Sequence, residues 1–142
     1  MDESAESNDA EANAAKPPIP PEAIELAHQL FDLARAGDTT LLEYVDRGAP
    51  VDLTDATGNT LLMLAAYHGH AVLVTGLAER GGDVDALNDR GQSPLAGAVF
   101  KGEDAVVQAL VEAGADPHKG SPTALETAVF FERHHLAELM QQ

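Results

Sequence analysis

The stretch Asp55-Ala56-Thr57-Gly58-Asn59-Thr60-Leu61-Leu62 returns in kind as Asn88-Asp89-Arg90-Gly91-Gln92-Ser93-Pro94-Leu95, 33 residues later. The same shift places Ala65 on Ala98, Gly69 on Gly102, Leu77 on Leu110, Gly81 on Gly114 and Asp83 on Asp116. A fixed period of this length predicts an array of stacked, similar units, each burying its apolar face against its neighbours.

The residues inside one period say what the unit is. Thr60 and Ser93 precede apolar runs, where a hydroxyl can accept from an orphan amide of a helix start. Pro94 follows Ser93 at a position where the missing N–H of proline costs nothing. Leu62, Ala65 and Ala66 form an apolar face at helical spacing, and the small alanines let neighbouring helices approach. Gly69 and Gly102 are placed to end this first helix in the left-handed conformation. A second helix follows, with Leu73, Val74 and Leu77 in one unit and Val106, Val107 and Leu110 in the next, ended by Gly81 and Gly114. The Asp-rich stretch after it is expected to turn out and back into the next unit. The outer units are less regular. Leu30, Leu33, Ala34 and Gly37 mark a starting first helix, and Leu41, Leu42 and Val45 its partner. Thr123, Leu125, Ala128 and Val129 align with Ser93, Leu95, Ala98 and Val99 at a shift of 30, so the last finger should be short. Leu136, Leu139 and Met140 would face the preceding unit. Glu132 stands where glycine is expected, which leaves that helix end open.

These stretches resemble the ankyrin repeat, with its D-x-x-G-x-T-P-L opening, A-A-x-x-G-H middle and G-A-D-V close. Gly91-Gln92-Ser93-Pro94-Leu95, Ala65-Ala66-Tyr67-His68-Gly69-His70 and Gly114-Ala115-Asp116 carry the likeness. The resemblance implies an all-α, right-handed solenoid of stacked helix-turn-helix units with short β-turn fingers. It divides the chain into a tail, residues 1–21, and a repeat domain, residues 22–142, with units at about 22–54, 55–87, 88–120 and 121–142. The tail is acidic and then Pro-rich, and cannot bury enough apolar area to offset its ordering entropy; it reads as disordered.

The chain of 142 residues carries 24 Asp and Glu against 8 Lys and Arg, a formal charge of -16. A field of that sign repels phosphate backbones and anionic lipid, so neither nucleic acid nor membrane is expected as a ligand. There is no cysteine, which removes disulfides and thiol chemistry. Met1 to Ala15 has neither a basic nor an apolar region of a signal peptide, and no apolar run approaches the ~20 residues that span a bilayer. A cytoplasmic location and a monomer are expected.

Little catalytic chemistry is legible. Phosphate-binding, zinc-protease and nucleophile-elbow motifs are absent from the sequence. His28, His68, His70, His118, His134 and His135 lack metal-ligand spacing, and adjacent His134 and His135 would point about 100° apart on a helix. In the family His70 falls where a structural histidine is common. Asp83-Val84-Asp85-Ala86-Leu87-Asn88-Asp89 hints at a calcium loop but has Leu87 where an oxygen ligand is needed. No enzyme activity, metal or cofactor is expected.

The resemblance implies binding through finger tips and the exposed side of the first helices. The residue two before the helix-ending glycine is Arg35, Tyr67, Phe100 and, by alignment, Phe130; the next position holds Ala36, His68, Lys101 and Phe131. Three aromatics thus fall in one column, and equal positions of stacked repeats line up in space. Arg35, Arg90 and Lys101 would set rare positive charge beside it. Thr57, Asn59, Asp89 and Gln92, with Ala56, are the finger-tip candidates. The expected function is a non-enzymatic adaptor or regulator that binds a cytoplasmic protein through its concave face. The alternative is an acidic, antitoxin-like inhibitor that blocks a basic target through its tail and negative surface.

Overall fold

Three helices of this chain start at side chains that satisfy the orphan amides of a first turn. Thr60 Oγ1 accepts from the Met63 N–H at 3.0 Å, Ser93 Oγ from the Ala96 N–H at 3.1 Å, and Thr123 Oγ1 from the Glu126 N–H at 3.0 Å. Glu126 returns a bond from the Thr123 N–H at 2.8 Å, which completes a capping box. The computed structural model describes residues 19–142, so most of the segment read as an acidic tail lies outside the described residues. Those residues form eight helices. They are α1 (Pro21–Ala36), α2 (Thr40–Asp46), α3 (Leu61–Tyr67), α4 (Ala71–Glu79), α5 (Pro94–Lys101), α6 (Asp104–Glu112), α7 (Ala124–Phe130) and α8 (His134–Met140).

The helices come in pairs, and the pairs stack. The first helices α1, α3, α5 and α7 pack in one row, and the second helices α2, α4, α6 and α8 in another. The core lies between the rows. It takes Leu62, Ala65 and Ala66 from α3, Leu73, Val74 and Leu77 from α4, and the matching Leu95, Ala98, Val99, Val106, Val107 and Leu110 from α5 and α6. All are at most 1% exposed, so each Leu or Val contributes about 1.5–3 kcal/mol of burial. The apolar face expected from the sequence is the face that is buried. The architecture is an all-α solenoid, and no described helix is long and apolar enough to cross a membrane.

Each first helix ends in a left-handed residue, and at three of the four ends a side chain of the next unit closes over it. Gly37 has φ 74°, Gly69 84° and Gly102 71°. A Cβ on Gly37 would collide with the His70 imidazole, one on Gly69 with the Glu103 carboxylate, and one on Gly102 would sit 3.0 Å from Arg133 Nη1. The conformation favours glycine at all three, and at Gly37 the His70 ring, held by its bond to the Arg35 carbonyl, leaves no room for a Cβ either. The end left open at Glu132 is resolved without glycine: Glu132 takes φ 55°, the only non-glycine residue with positive φ among the described residues. The left-handed conformation costs such a residue about 1–2 kcal/mol.

The two outer pairs differ from the inner ones for lack of a neighbour. Helix α1 has 16 residues against 7 in α3 and reaches back well before the Leu30–Ala34 stretch that marks it in sequence. Pro21 at its first position presets the helical φ, and no glycine interrupts the turns that follow. At the other end, Val129 is 67% exposed whereas its counterpart Val99 is fully buried, because no unit follows α7 and α8 in the described residues.

Candidate functional site

The fingers are built from side chains that bond their own turn. Asp55 Oδ1 accepts from the Thr57 N–H at 2.9 Å, the Thr57 hydroxyl at 2.9 Å and the Asn59 N–H at 3.0 Å. One period on, Asn88 Oδ1 accepts from the Arg90 and Gln92 N–H groups, both at 3.0 Å. Burial pushes the Asp55 carboxyl up, but the bonds from the Asn59 and Thr57 amides, the Thr57 hydroxyl and the Asn59 side chain outweigh it and hold its pKa below the usual value. Neighbouring fingers are tied by backbone rungs, the Asp89 N–H to the Thr57 carbonyl and the Ser121 N–H to the Gly91 carbonyl, each at 3.0 Å.

Asn59, expected at a finger tip, is half-buried and bonds within this framework while also lining the groove between the fingers and the first helices. Its Oδ1 accepts from Asn88 Nδ2 at 2.9 Å and its Nδ2 donates to Thr57 Oγ1 at 2.9 Å. The Asp-rich stretch is also structural: Asp52 accepts from the Asp83 N–H at 2.9 Å, and Asp85 from the Asp116 N–H at 2.8 Å.

Between the fingers and the first helices runs a groove of about 930 Å³. Tyr67, Phe100 and Phe130 line its helix side, and Thr57, Arg90 and Gln92 its finger side. The three aromatics are 43%, 48% and 79% exposed. They do not stand alone. Phe131 makes edge-to-face contacts with both Phe100, at 5.3 Å between ring centroids, and Phe130, at 5.0 Å. Lys101 Nζ lies 4.7 Å from the centre of the Tyr67 ring, a cation–π contact. Phe131, read in sequence as the neighbouring position to the column, therefore braces it.

Several expected residues fall outside this groove. Arg35 pairs with Asp32 at 3.0 Å on its own helix and lines a separate surface depression beside α1 and the first finger. His68 stands edge-on to Tyr67 at 5.6 Å; desolvation, with His70, Lys101 and Arg35 nearby, holds its pKa below the ordinary 6.5. Asp89 turns its carboxylate toward Gly58. His70 bonds through Nε2 to the Arg35 carbonyl at 2.7 Å and so links one unit to the one before, while His135 bonds to Asp104 at 3.1 Å. Among the described residues no three His, Asp or Glu side chains are grouped to hold a metal ion.

Sequence reasoning missed the groove floor, Leu64, Gly97 and Thr127. The signal was present: each lies three residues before an aromatic of the column, hence on the same helical face. It also missed Arg133, which donates to the Phe100 carbonyl at 3.2 Å and lies 5.9 Å from the Phe131 ring centre. Nothing in local spacing announces a contact between residues 33 apart.

Comparison with known proteins bears on the whole assembly. The family model described as ankyrin repeats, three copies, matches residues 30–121. A Pseudomonas aeruginosa protein named as an ankyrin repeat protein, PA3287, is 47% identical over 60 residues, which is 42% of this chain and 35% of that protein. The matched stretch thus spans about a third of that relative's length.

Proposed function

The chain belongs to the ankyrin-repeat family, whose repeats are generally protein–protein interaction modules, and from that premise we propose that it binds a partner protein in the groove between fingers and first helices. Tyr67, Phe100 and Phe130 carry most of the affinity, because aromatics in a recess dominate interface energetics. Arg90, Thr57 and Gln92 supply polar contacts from the rim. The protein acts as a cytoplasmic adaptor or regulator without catalysis of its own.

The observation that supports this reading most is the composition of the groove. On a chain of formal charge -16, its lining includes one cation, Arg90, and one carboxylate, Glu126. The carboxylate caps the Thr123 end of α7. An almost neutral recess rimmed by aromatics, in a strongly charged surface, suits a partner that brings apolar side chains.

Replacing Tyr67 and Phe100 together by alanine is expected to abolish capture of the partner from a lysate of the source cells. The thermal midpoint should shift little, since both rings are more than 40% exposed. Capture that survives the double replacement refutes the groove as the site. Capture lost on removing residues 1–20, and weakened by moderate salt, would instead support the acidic, antitoxin-like inhibitor, since charge-driven binding is screened and aromatic binding is not.

A further inference from the structure

Three of the seven Lys and Arg among the described residues, Arg90, Lys101 and Arg133, stand at or beside the groove. Among the described residues the carboxylate pairs within 4.0 Å are Arg35 with Asp32, Arg80 with Asp46 and His135 with Asp104. Arg47, Arg90, Lys101, Lys119 and Arg133 have no such partner among those residues, although over the whole chain acidic side chains outnumber basic ones threefold, 24 to 8; the three at the groove are among them. Two of the three are held by aromatics instead. Lys101 stands over Tyr67 and Arg133 near Phe131. Arg90 is exposed on the opposite rim, lining the same recess as Phe100. Arg133 Nε is buried and bonds to no other group among the described residues.

Arg90 lines the recess on the finger side, and Lys101 and Arg133 stand against two of its lining aromatics, Tyr67 and Phe131. Resting on the reading that the groove is the binding site, we propose that its occupant is an acidic peptide segment of the partner protein. Its apolar side chains lie among Tyr67, Phe100 and Phe130, and its carboxylates reach Arg90 on the finger rim and Lys101 beside Tyr67. Complementarity of this kind fixes register and speeds encounter, while the acidic surface around the groove repels the same segment everywhere else.

The test is a selection of peptides from a random phage-displayed library on the full chain. Clones are sorted by whether binding is lost with the Tyr67→Ala/Phe100→Ala variant. Their synthetic peptides are then titrated against the full chain and against Arg90→Glu/Lys101→Glu, two exposed positions whose reversal should leave the thermal midpoint in place. Groove-dependent peptides are expected to carry more Asp and Glu than Lys and Arg, and to bind the charge-reversed variant about tenfold or more weakly. Lysine in place of their acidic residues should restore binding to that variant. Groove-dependent peptides that are neutral or basic, or indifferent to the reversal, overturn the acidic occupant and leave the groove reading standing. Peptides that bind but never depend on Tyr67 and Phe100, or no binding peptides at all, overturn both.

Discussion

The inner pair α5–α6 and the last pair α7–α8 are cut from one pattern and end differently. Both start on a hydroxyl cap, Ser93 or Thr123, and both turn out of the first helix through a left-handed residue. In the inner pair that residue is Gly102, with the guanidinium of Arg133 laid against it; in the last pair it is Glu132. Val99 is fully buried and Val129 is 67% exposed. The inner finger is pinned by Asn88, as the one before it is by Asp55, whereas the loop before α7 is three residues shorter. The difference teaches that the demand for glycine, for apolar side chains and for a braced finger comes largely from the following unit. Where none follows, the left-handed turn persists on local grounds and the rest of the pattern relaxes.

The comparison breaks most visibly at matched core sites. Val99→Ala should cost about 2.5 kcal/mol as a fully enclosed cavity, while Val129→Ala should cost under about 0.5 kcal/mol. Urea denaturation of the two variants would show it, and similar losses would mean that the last pair is covered in solution. Next in size is Gly37→Ala, about 2 kcal/mol, since a methyl there meets the His70 ring in addition to adopting an unfavourable φ.

A third prediction probes the finger. Asp55→Ala should cost about 1 kcal/mol near neutral pH through the lost turn bonds. The folded pKa of Asp55 is lowered, so its contribution is fully present above the unfolded carboxylate value of about 3.9. It is lost as pH falls through the folded value. The gap between native chain and variant should therefore narrow below about pH 4; a gap that widens on acidification would contradict the bonding seen at Asp55. The smallest effect, and the sharpest test of the comparison, is a gain. Glu132→Gly should stabilise the chain by about 0.5 kcal/mol, the relief of left-handed strain less the extra unfolded-state entropy of glycine. A loss there would show that the Glu132 side chain is engaged after all.

How far the sequence reveals this molecule follows from the range of each interaction. Thr60 and Ser93 were readable as caps because a cap bond spans three residues, Thr123 takes the same role through its alignment with Ser93, and the core was readable because helical period and a 33-residue shift agree on it. The helix end at Glu132 is open in the sequence because glycine is the usual signal for it, whereas a left-handed turn needs only a tolerable strain. The early start of α1 is hidden because its first turns have no counterpart in the shorter first helices that follow. In the groove, the aromatic column was legible as a repeated position. Its bracing was not: Phe131 on Phe100, Lys101 on Tyr67 and Arg133 on the Phe100 carbonyl join residues 31, 34 and 33 apart, and the bond of Asn59 to Asn88 joins residues 29 apart.

The rungs between fingers bear on how binding would proceed in time and not only how tightly. With the Asp89 amide tied to Thr57 and the Ser121 amide tied to Gly91, the finger rim is a preorganised edge that loses little motion when a ligand arrives. The ordering penalty of association then falls almost wholly on the partner. A flexible segment would leave this rim readily, and a partner that already holds its segment in shape would stay, so residence time becomes a property the partner sets by its own stiffness.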